Sequence, residues 1–588
     1  MGWTGPPSND VPPPEARGQR LLEWARQWSY AHPRLKLVAR EGWAAARLGA
    51  TAVHLPTPFD PPEFADLQAL GGRPDPEGPD REGPGPSVLV MSFRGWSTHV
   101  VIEALVAKAL ERRGCRVAVL TCGGRLPTCD VVPAPFAPPT PCLSCSGYVH
   151  DGVAAASLHL LDLSDLLDVR SRVARASSTV SAATNVAQCR ATMGAHLPVG
   201  RLVETSVAWA LSTGDVDDTD PLALKTYRRF LAAGLVVEEA WLRALDTIQP
   251  DRVFLLNGSF FAERIMAELA DERGIPVVRY ERGFLPSTVL VSRWEAERND
   301  LDPGEEAWKK AAITPLGQSQ HREVREYLEG RTRGSRILNA FWTEGRPDPA
   351  VVRGQLGLEE AQPLVSAFCN ILWDSAVQGR DVAFAGMLAW LEDALAWARN
   401  SPRIHLVIRV HPAEVKLRNH PSRDPVIAHL HDVMATPVDN VTVVGPDDPM
   451  NSYALAAASD VGLVYTSTMG LEMACAGIPV VVAGATHFGR RGFTWDPPDA
   501  QSYWQTVNRL LSGAERLDPG RRELAERYAH LFFFRFHQTI ASLEEPGQSR
   551  VRLRNSAATA IGGGSDPGLD RVVGAVLDLQ GSLVTPAG

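Results

Sequence analysis

The chain has 588 residues, 45% of them hydrophobic and 22% charged, with a formal net charge of -9. At about 150 residues per domain it is too long for one ordinary core, so at least two domains are expected. An acidic balance without a long basic run argues against nucleic acid as a partner.

In chain order, the opening MGWTGPPSNDVPPPE lacks the basic and apolar regions of a signal peptide, and no run of about 18 apolar residues occurs. A cytoplasmic protein is expected, associated with the inner face of the membrane at most peripherally. Residues 1–86 read as a helical extension, with helical spacing over Glu15–Leu48, closed by the Pro/Gly-rich linker GGRPDPEGPDREGPGP.

From Ser87 the pattern alternates. SVLVMSF, the helical stretch RGWSTHVVIEALVAKALERRG and RVAVLT form a strand, helix, strand unit, and so imply a parallel sheet. A mostly helical insertion follows over 152–245. The rhythm then resumes in DRVFLLNG, FAERIMAELADERG and PVVRY, which sets a first Rossmann-like unit at 87–330.

Residues 331–362 read as a linker. A second Rossmann-like unit at 363–545 runs through LVSAFCN, a helix over 381–399, HLVIRV, NVTVVG, MNSYALAAAS, DVGLVY, GLEMACAG and PVVVAG, and ends in a helical region over 521–543. A flexible tail is expected over 546–588, where IGGGSDPG interrupts the pattern. The fold class is therefore α/β, with two Rossmann-like domains facing a cleft.

In such sheets the strand carboxyl ends and helix N-termini converge on one crevice, where backbone N–H groups and the helix dipole favour phosphate. Thr466, Ser467 and Thr468 lie between DVGLVY and the next helix, and Gly470 is expected to let a ligand approach the backbone. If these hydroxyls were plain caps, Glu472 would close a capping box, but position 469 is Met, so the box fails. Glu472 is then suited to ribose hydroxyls. Arg409 and His411 end the strand HLVIRV and can donate to phosphate oxygens, with a structural role as the alternative. Asn370, Asp374, Arg490 and Arg491 are equally suited to turns or solvent and to the crevice.

The segments RVHPAE, YTSTMGLEMACAGIPVVVAG and HFGRRGFTWDP resemble the donor-binding half of bacterial capsule polysaccharide synthesis glycosyltransferases of GT-B architecture, over Leu364 to Pro497. That resemblance implies a nucleotide-sugar donor, often a CMP-linked acidic sugar, held by His411 and the Thr466–Thr468 loop, with Glu472 in the same pocket. It also implies a glycan or glycolipid acceptor in surface polysaccharide synthesis. YERGFLPST resembles the Glu-x-Gly-aromatic-x-Pro segment of the same family and extends the likeness into the first unit.

Sugar transfer needs a base for the acceptor hydroxyl or a nucleophile, and a carboxylate serves either way. Glu281, at the end of PVVRY, is the first expected catalytic group and His99 its rival. Asn257 and Gly258 would reach the same crevice. No catalytic metal is expected, and the DVDD run at Asp215–Asp218 lies between helical stretches. Eight cysteines are too few for a disulfide scaffold. Cys122, Cys129, Cys142 and Cys145 nevertheless form C-x6-C-x12-C-x2-C, whose last pair is spaced to share a structural zinc. Three functions stand at this point: a glycosyltransferase, a nucleotide-sugar epimerase or phosphopolyol transferase, and a non-catalytic nucleotide-sugar-binding protein.

Overall fold

The computed structural model describes residues 38–39, 41–42, 44–45, 61–71, 85–132, 142–294, 302–333, 348–416, 422–434, 436–516, 518–547, 550–579 and 583–585. Of the helix expected over Glu15–Leu48, residues 38–39, 41–42 and 44–45 are described and helical. The remainder of that stretch, the linker over 72–84 and residues 334–347 lie outside the described residues.

The first part of the chain supplies β1 (Ser87–Met91), β2 (Arg116–Thr121), β3 (Leu160–Asp162), β4 (Arg252–Leu256), β5 (Val277–Arg282) and β6 (Thr288–Arg293). The second supplies β7 (Leu364–Phe368), β8 (His405–Arg409), β9 (Val441–Val444), β10 (Val461–Val464) and β11 (Val480–Val482). The last stretch adds β12 (Gln538–Thr539), β13 (Leu543–Gly547) and β14 (Arg550–Leu553). A seven-stranded sheet has the order β12-β6-β5-β4-β1-β2-β3 and a five-stranded sheet the order β11-β10-β7-β8-β9.

Helices cover both faces, so the central strands read as continuous apolar runs instead of alternating. SVLVM of β1 and LVSAF of β7 are buried at every position. The two sheets share one winding. β1 pairs in parallel with β2 on one side and β4 on the other. β7 pairs in the same way with β8 and β10. Each sheet therefore has a point where the strand order reverses and the connecting helices leave to opposite faces, opening a crevice beyond the carboxyl ends.

Three expected boundaries change. The helical region near the end stops earlier than Leu543: helix Pro519–His530 passes into a π-helical turn, Leu531–Phe536. β12 then pairs antiparallel with β6, returning the chain to the first sheet. Helices Glu305–Ile313 and Gln318–Thr332, placed by sequence largely in the first unit, bury Trp308, Val324 and Tyr327 in the core that holds Leu364, Phe368 and Tyr528 of the second.

Nor is the stretch from 546 a flexible tail. Helix Pro567–Leu577 puts Leu569, Val572, Val573 and Val576 into the core containing Val88 and Val90 of β1. Those four positions follow the i, i+3, i+4, i+7 spacing of a core-facing helix stripe, which the preceding glycine run obscures. Among the described residues no helix is long and apolar enough to cross a membrane.

Candidate functional site

At the reversal point of the five-stranded sheet, Asn370 follows β7 and Thr466 follows β10. The Asn370 Oδ1 accepts the Thr466 N–H at 3.2 Å, which fixes the start of the next loop. Helix Met469–Ala476 then begins with Thr468 as N-cap and no side-chain cap, consistent with the failed capping box. Among the described residues the N–H groups of Ser467 and Thr468 donate to nothing, and the Thr466 hydroxyl is buried without a partner. Ser467 Oγ takes the Met469 N–H at 3.3 Å, and the two N–H groups left over, at a helix N-terminus bearing about half a positive charge, make an anion-binding arrangement. At Gly470 a Cβ would stand 3.0 Å from Phe488 Cζ and 3.0 Å from Val464 Cγ2, so close packing by itself favours glycine there.

The other expected donor-side residues divide. Arg409 is buried with its Nε donating to Ser452 Oγ at 3.1 Å and an Nη to the Gly445 carbonyl. It ties the strand end to the following helix and is turned away from an anion role. His411 Nδ1 accepts the Ala413 N–H at 3.1 Å, so the ring proton sits on Nε2. Burial, then Arg409, hold its pKa down to about 4, so it is a neutral donor at pH 7.

Glu472 is buried, with Arg331 Nε 2.8 Å from its Oε1. The Tyr453 hydroxyl, which accepts from Arg331 Nε at 3.2 Å, also reaches this carboxylate, whose two oxygens have lone pairs beyond these contacts. Glu472 borders a cavity of about 160 Å³ lined by Leu328, Tyr453, Met469, Met473 and Ile478 among others. Arg491 is buried beside Asp302 and Glu305, whereas Arg490 is exposed.

The seven-stranded sheet presents a matching edge. After β4, Asn257 Nδ2 donates to Glu281 Oε2 at 2.7 Å, and the Arg282 N–H donates to Glu281 Oε1 at 2.9 Å. Burial raises the Glu281 pKa, Arg94 and these donors restrain the rise, and the charge of Asp374 adds to it. After β1, Arg94 is buried and clamped by Glu263 and Asp130. His99 Nδ1 lies 3.3 Å from the Tyr280 hydroxyl, which donates to Glu103 Oε1 at 2.6 Å. The phenol has one proton, so Nδ1 carries the imidazole hydrogen and Nε2 is a bare acceptor. Burial, then Arg94 and Arg282, hold His99 down at about 3. A base works best when its pKa lies near the working pH, so Glu281, whose pKa is raised, is better matched than His99.

The two edges meet. Phe260, after β4, packs edge-on to Trp209 at 5.3 Å, and Trp209 to Trp373, after β7, at 5.1 Å. Arg423 N–H donates to the Ser212 carbonyl at 2.9 Å, and its guanidinium pairs with Asp220. Asp374 of one edge shifts Glu281 of the other. Asp217 and Asp218 of the DVDD run accept from the Thr219 and Val186 N–H groups.

The zinc expectation is not met among the described residues, where no three His, Cys, Asp or Glu are grouped to hold a metal ion. Cys145 Sγ instead accepts the Gly95 N–H at 3.1 Å. Burial, then the neighbouring Cys145, pushes the Cys142 thiol up to about 11, so it is protonated at neutral pH.

Sequence reasoning missed Arg94, Glu103 and Tyr280. Arg94 follows β1 as Asn257 follows β4, so the strand-end rule applied to every strand would have found it. Glu103 is four residues after His99, one helical turn away on the same face.

The chain matches no protein-family model, and no curated protein matches it. Among solved structures it is similar to KpsC, beta Kdo 2,4 transferase, of Thermosulfurimonas dismutans. That match has 17% identity and a TM-score of 0.30 over 53% of this chain and 87% of that one. The beta Kdo 2,7 transferase of the same KpsC is similar at 16% identity and TM-score 0.28, over 55% and 87%. A UDP-GlcNAc 2-epimerase from Neisseria meningitidis, solved bound to UDP-GlcNAc, is similar at 12% identity and TM-score 0.24, over 76% and 97%.

Proposed function

We propose that this protein is a glycosyltransferase that moves a sugar from a nucleotide-activated donor to a hydroxyl of a glycan or glycolipid acceptor. The observation that carries the reading is the pairing of two unlike strand-end sites. One is a helix N-terminus with partnerless N–H groups at Ser467 and Thr468. The other is a half-buried carboxylate, Glu281, whose pKa is raised by desolvation. The first suits a phosphate with its negative charge, and the second suits removal of a proton from an attacking hydroxyl.

In this reading the donor phosphates sit on the Thr466–Thr468 loop and are met by the His411 Nε2–H. The nucleoside enters the cavity beside Glu472, whose spare acceptor capacity takes the ribose hydroxyls. The acceptor approaches from the seven-stranded sheet. There Glu281 Oε2 or Oε1 takes the hydroxyl proton as the oxygen attacks the anomeric carbon and the nucleotide leaves with the bond pair. The leaving charge is stabilised by the helix N-terminus, which is already oriented toward it. The two sheet edges then form the walls of a cleft that keeps water from the reacting carbon. In keeping with the capsule-family resemblance, the donor class is proposed to include CMP-linked acidic sugars, with synthesis of a surface polysaccharide on the cytoplasmic side of the membrane.

The test is a panel of nucleotide sugars offered with and without Glu281→Gln. Binding to the native state raises the melting temperature by mass action. The reading expects one donor to stabilise both proteins and the wild type to form glycosylated product far faster than the variant. A product that is the epimerised nucleotide sugar, with no acceptor modified, would reject it.

A further inference from the structure

β11 ends at Val482, and its carboxyl-end loop carries Thr486 and His487 toward the donor edge. Two contacts fix that position. Phe488, the next residue, faces Gly470 in the helix of the Thr466–Thr468 loop, and the site of a Cβ on Gly484 lies 3.1 Å from Thr466 Cγ2. On its other side the His487 ring stacks on Phe532 at 4.1 Å, and Phe532 packs against His537 and Phe284. Phe284 is three residues after Glu281. His487 therefore lies between the helix N-terminus and the strand end that carries the carboxylate.

Its hydrogen bonding determines its chemistry. The Tyr528 hydroxyl donates its one proton to the His487 carbonyl at 2.6 Å. The same oxygen is 3.0 Å from His487 Nδ1 and must accept there. The ring hydrogen is thus on Nδ1, and Nε2 holds a bare lone pair. That nitrogen is buried and has no partner among the described residues. Burial, followed by Arg380, keeps the imidazole pKa near 3, so the ring is neutral throughout the physiological range. The Thr486 hydroxyl beside it is also buried and unpartnered. A buried acceptor left unfilled is destabilising, and such groups are uncommon in folded proteins.

We propose that His487 is a positioning residue whose Nε2 accepts a hydrogen bond from a hydroxyl of the transferred sugar, and so distinguishes a nucleotide sugar from its free nucleotide. This rests on the transferase reading and adds a contact to the glycosyl unit itself. Tyr528 acts through the ring by holding the tautomer that leaves Nε2 bare.

The test uses the full chain with two substitutions, UDP against UDP-N-acetylglucosamine, and CMP against CMP-N-acetylneuraminate. His487→Phe keeps a ring to stack on Phe532 and removes the acceptor. His487→Gln restores a polar atom near the position of Nε2. For the nucleotide sugar that binds wild type, His487→Phe is expected to weaken binding roughly tenfold, the order for one lost hydrogen bond to a buried group, and to raise KM more than it lowers kcat. The matching free nucleotide should bind unchanged, and His487→Gln should recover part of the loss.

If His487→Phe binds the nucleotide sugar as tightly as wild type, or loses free nucleotide equally, the assignment of His487 fails while the transferase reading stands. If neither nucleotide sugar binds wild type, both fail. Without ligand, nitrogen NMR of the labelled ring should show the proton on Nδ1, and a proton on Nε2 would overturn the proposal.

Discussion

Glu103 allows the electrostatics of the first sheet's edge to be tested without knowing the substrate. Its carboxyl is 3% exposed, and burial raises its pKa from 4.5 to about 7, against hydrogen bonds from Ser92 and Tyr280. A shift of that size, at 1.36 kcal/mol per unit, is about 3 kcal/mol. The folded state holds this proton more tightly than the unfolded chain. Stability from this group is therefore complete below pH 4.5 and is lost as pH rises toward 7.

Glu103→Gln keeps an oxygen to accept from Tyr280 and removes the ionisation. The melting temperature of the variant relative to wild type should be near zero difference at pH 4.5. It should rise with pH to a plateau above pH 7 equivalent to about 3 kcal/mol. A difference independent of pH between 4.5 and 8 would show that Glu103 does not titrate in this window and would refute the reasoning.

Other outcomes follow from the same edges. Glu281→Gln should lower kcat by roughly 10²–10⁴, the usual contribution of a general base, with little change in donor binding. Wild-type kcat/KM should fall as pH drops through the raised pKa of Glu281, because only the ionised carboxylate accepts the proton; a rate flat to pH 4.5 would contradict that assignment. Arg409→Ala removes the hydrogen bonds to the Gly445 carbonyl and Ser452 Oγ and should lower stability by about 1–3 kcal/mol in denaturant unfolding, while donor dissociation constants measured at a temperature where the variant is folded stay as in wild type. Truncation after Glu545 removes helix Pro567–Leu577 and its four core side chains. It should yield a chain whose first sheet exchanges its amide hydrogens rapidly, where a disposable tail would leave protection intact.

Most parallel strands of the two sheets were legible because each is a short apolar run followed by a helical stripe: SVLVM before 97–112 and LVSAF before 387–399. The strand-end residues then followed from topology, which is why Glu281, Asn257, His411 and the Thr466–Thr468 loop were placed correctly at carboxyl edges. What topology cannot specify is the direction a side chain takes. Arg409 and His411 are two residues apart on one strand end, yet the guanidinium is taken up by Ser452 and Gly445. Nor does topology show that Gly470 has a packing reason to be glycine, the close approach of Phe488 and Val464.

β12 was not legible for a different reason. It has two residues, Gln538 and Thr539, and exists through its pairing with β6 some 250 positions earlier, a register of Gln538 with Val289. The helix after it was hidden by its glycine-rich approach, although its own period of buried valines is clear once the boundary is known. The cysteine spacing has the same limit as Arg409: C-x2-C permits a shared metal, but spacing does not say that the Cys145 sulfur accepts the Gly95 N–H.

The central claim is that a sugar leaves a nucleotide at the Thr466–Thr468 loop with Glu281 as the base. The most direct measurement is mass spectrometry of an acceptor glycan or glycolipid mixture incubated with the stabilising nucleotide sugar and with wild type or Glu281→Gln. The account predicts an added glycosyl mass and stoichiometric release of free nucleotide with wild type. With the variant it predicts retained donor binding and an added mass that accumulates roughly 10²–10⁴ times more slowly. Equal glycosylation by both proteins, or nucleotide release with no acceptor gaining mass, would contradict it.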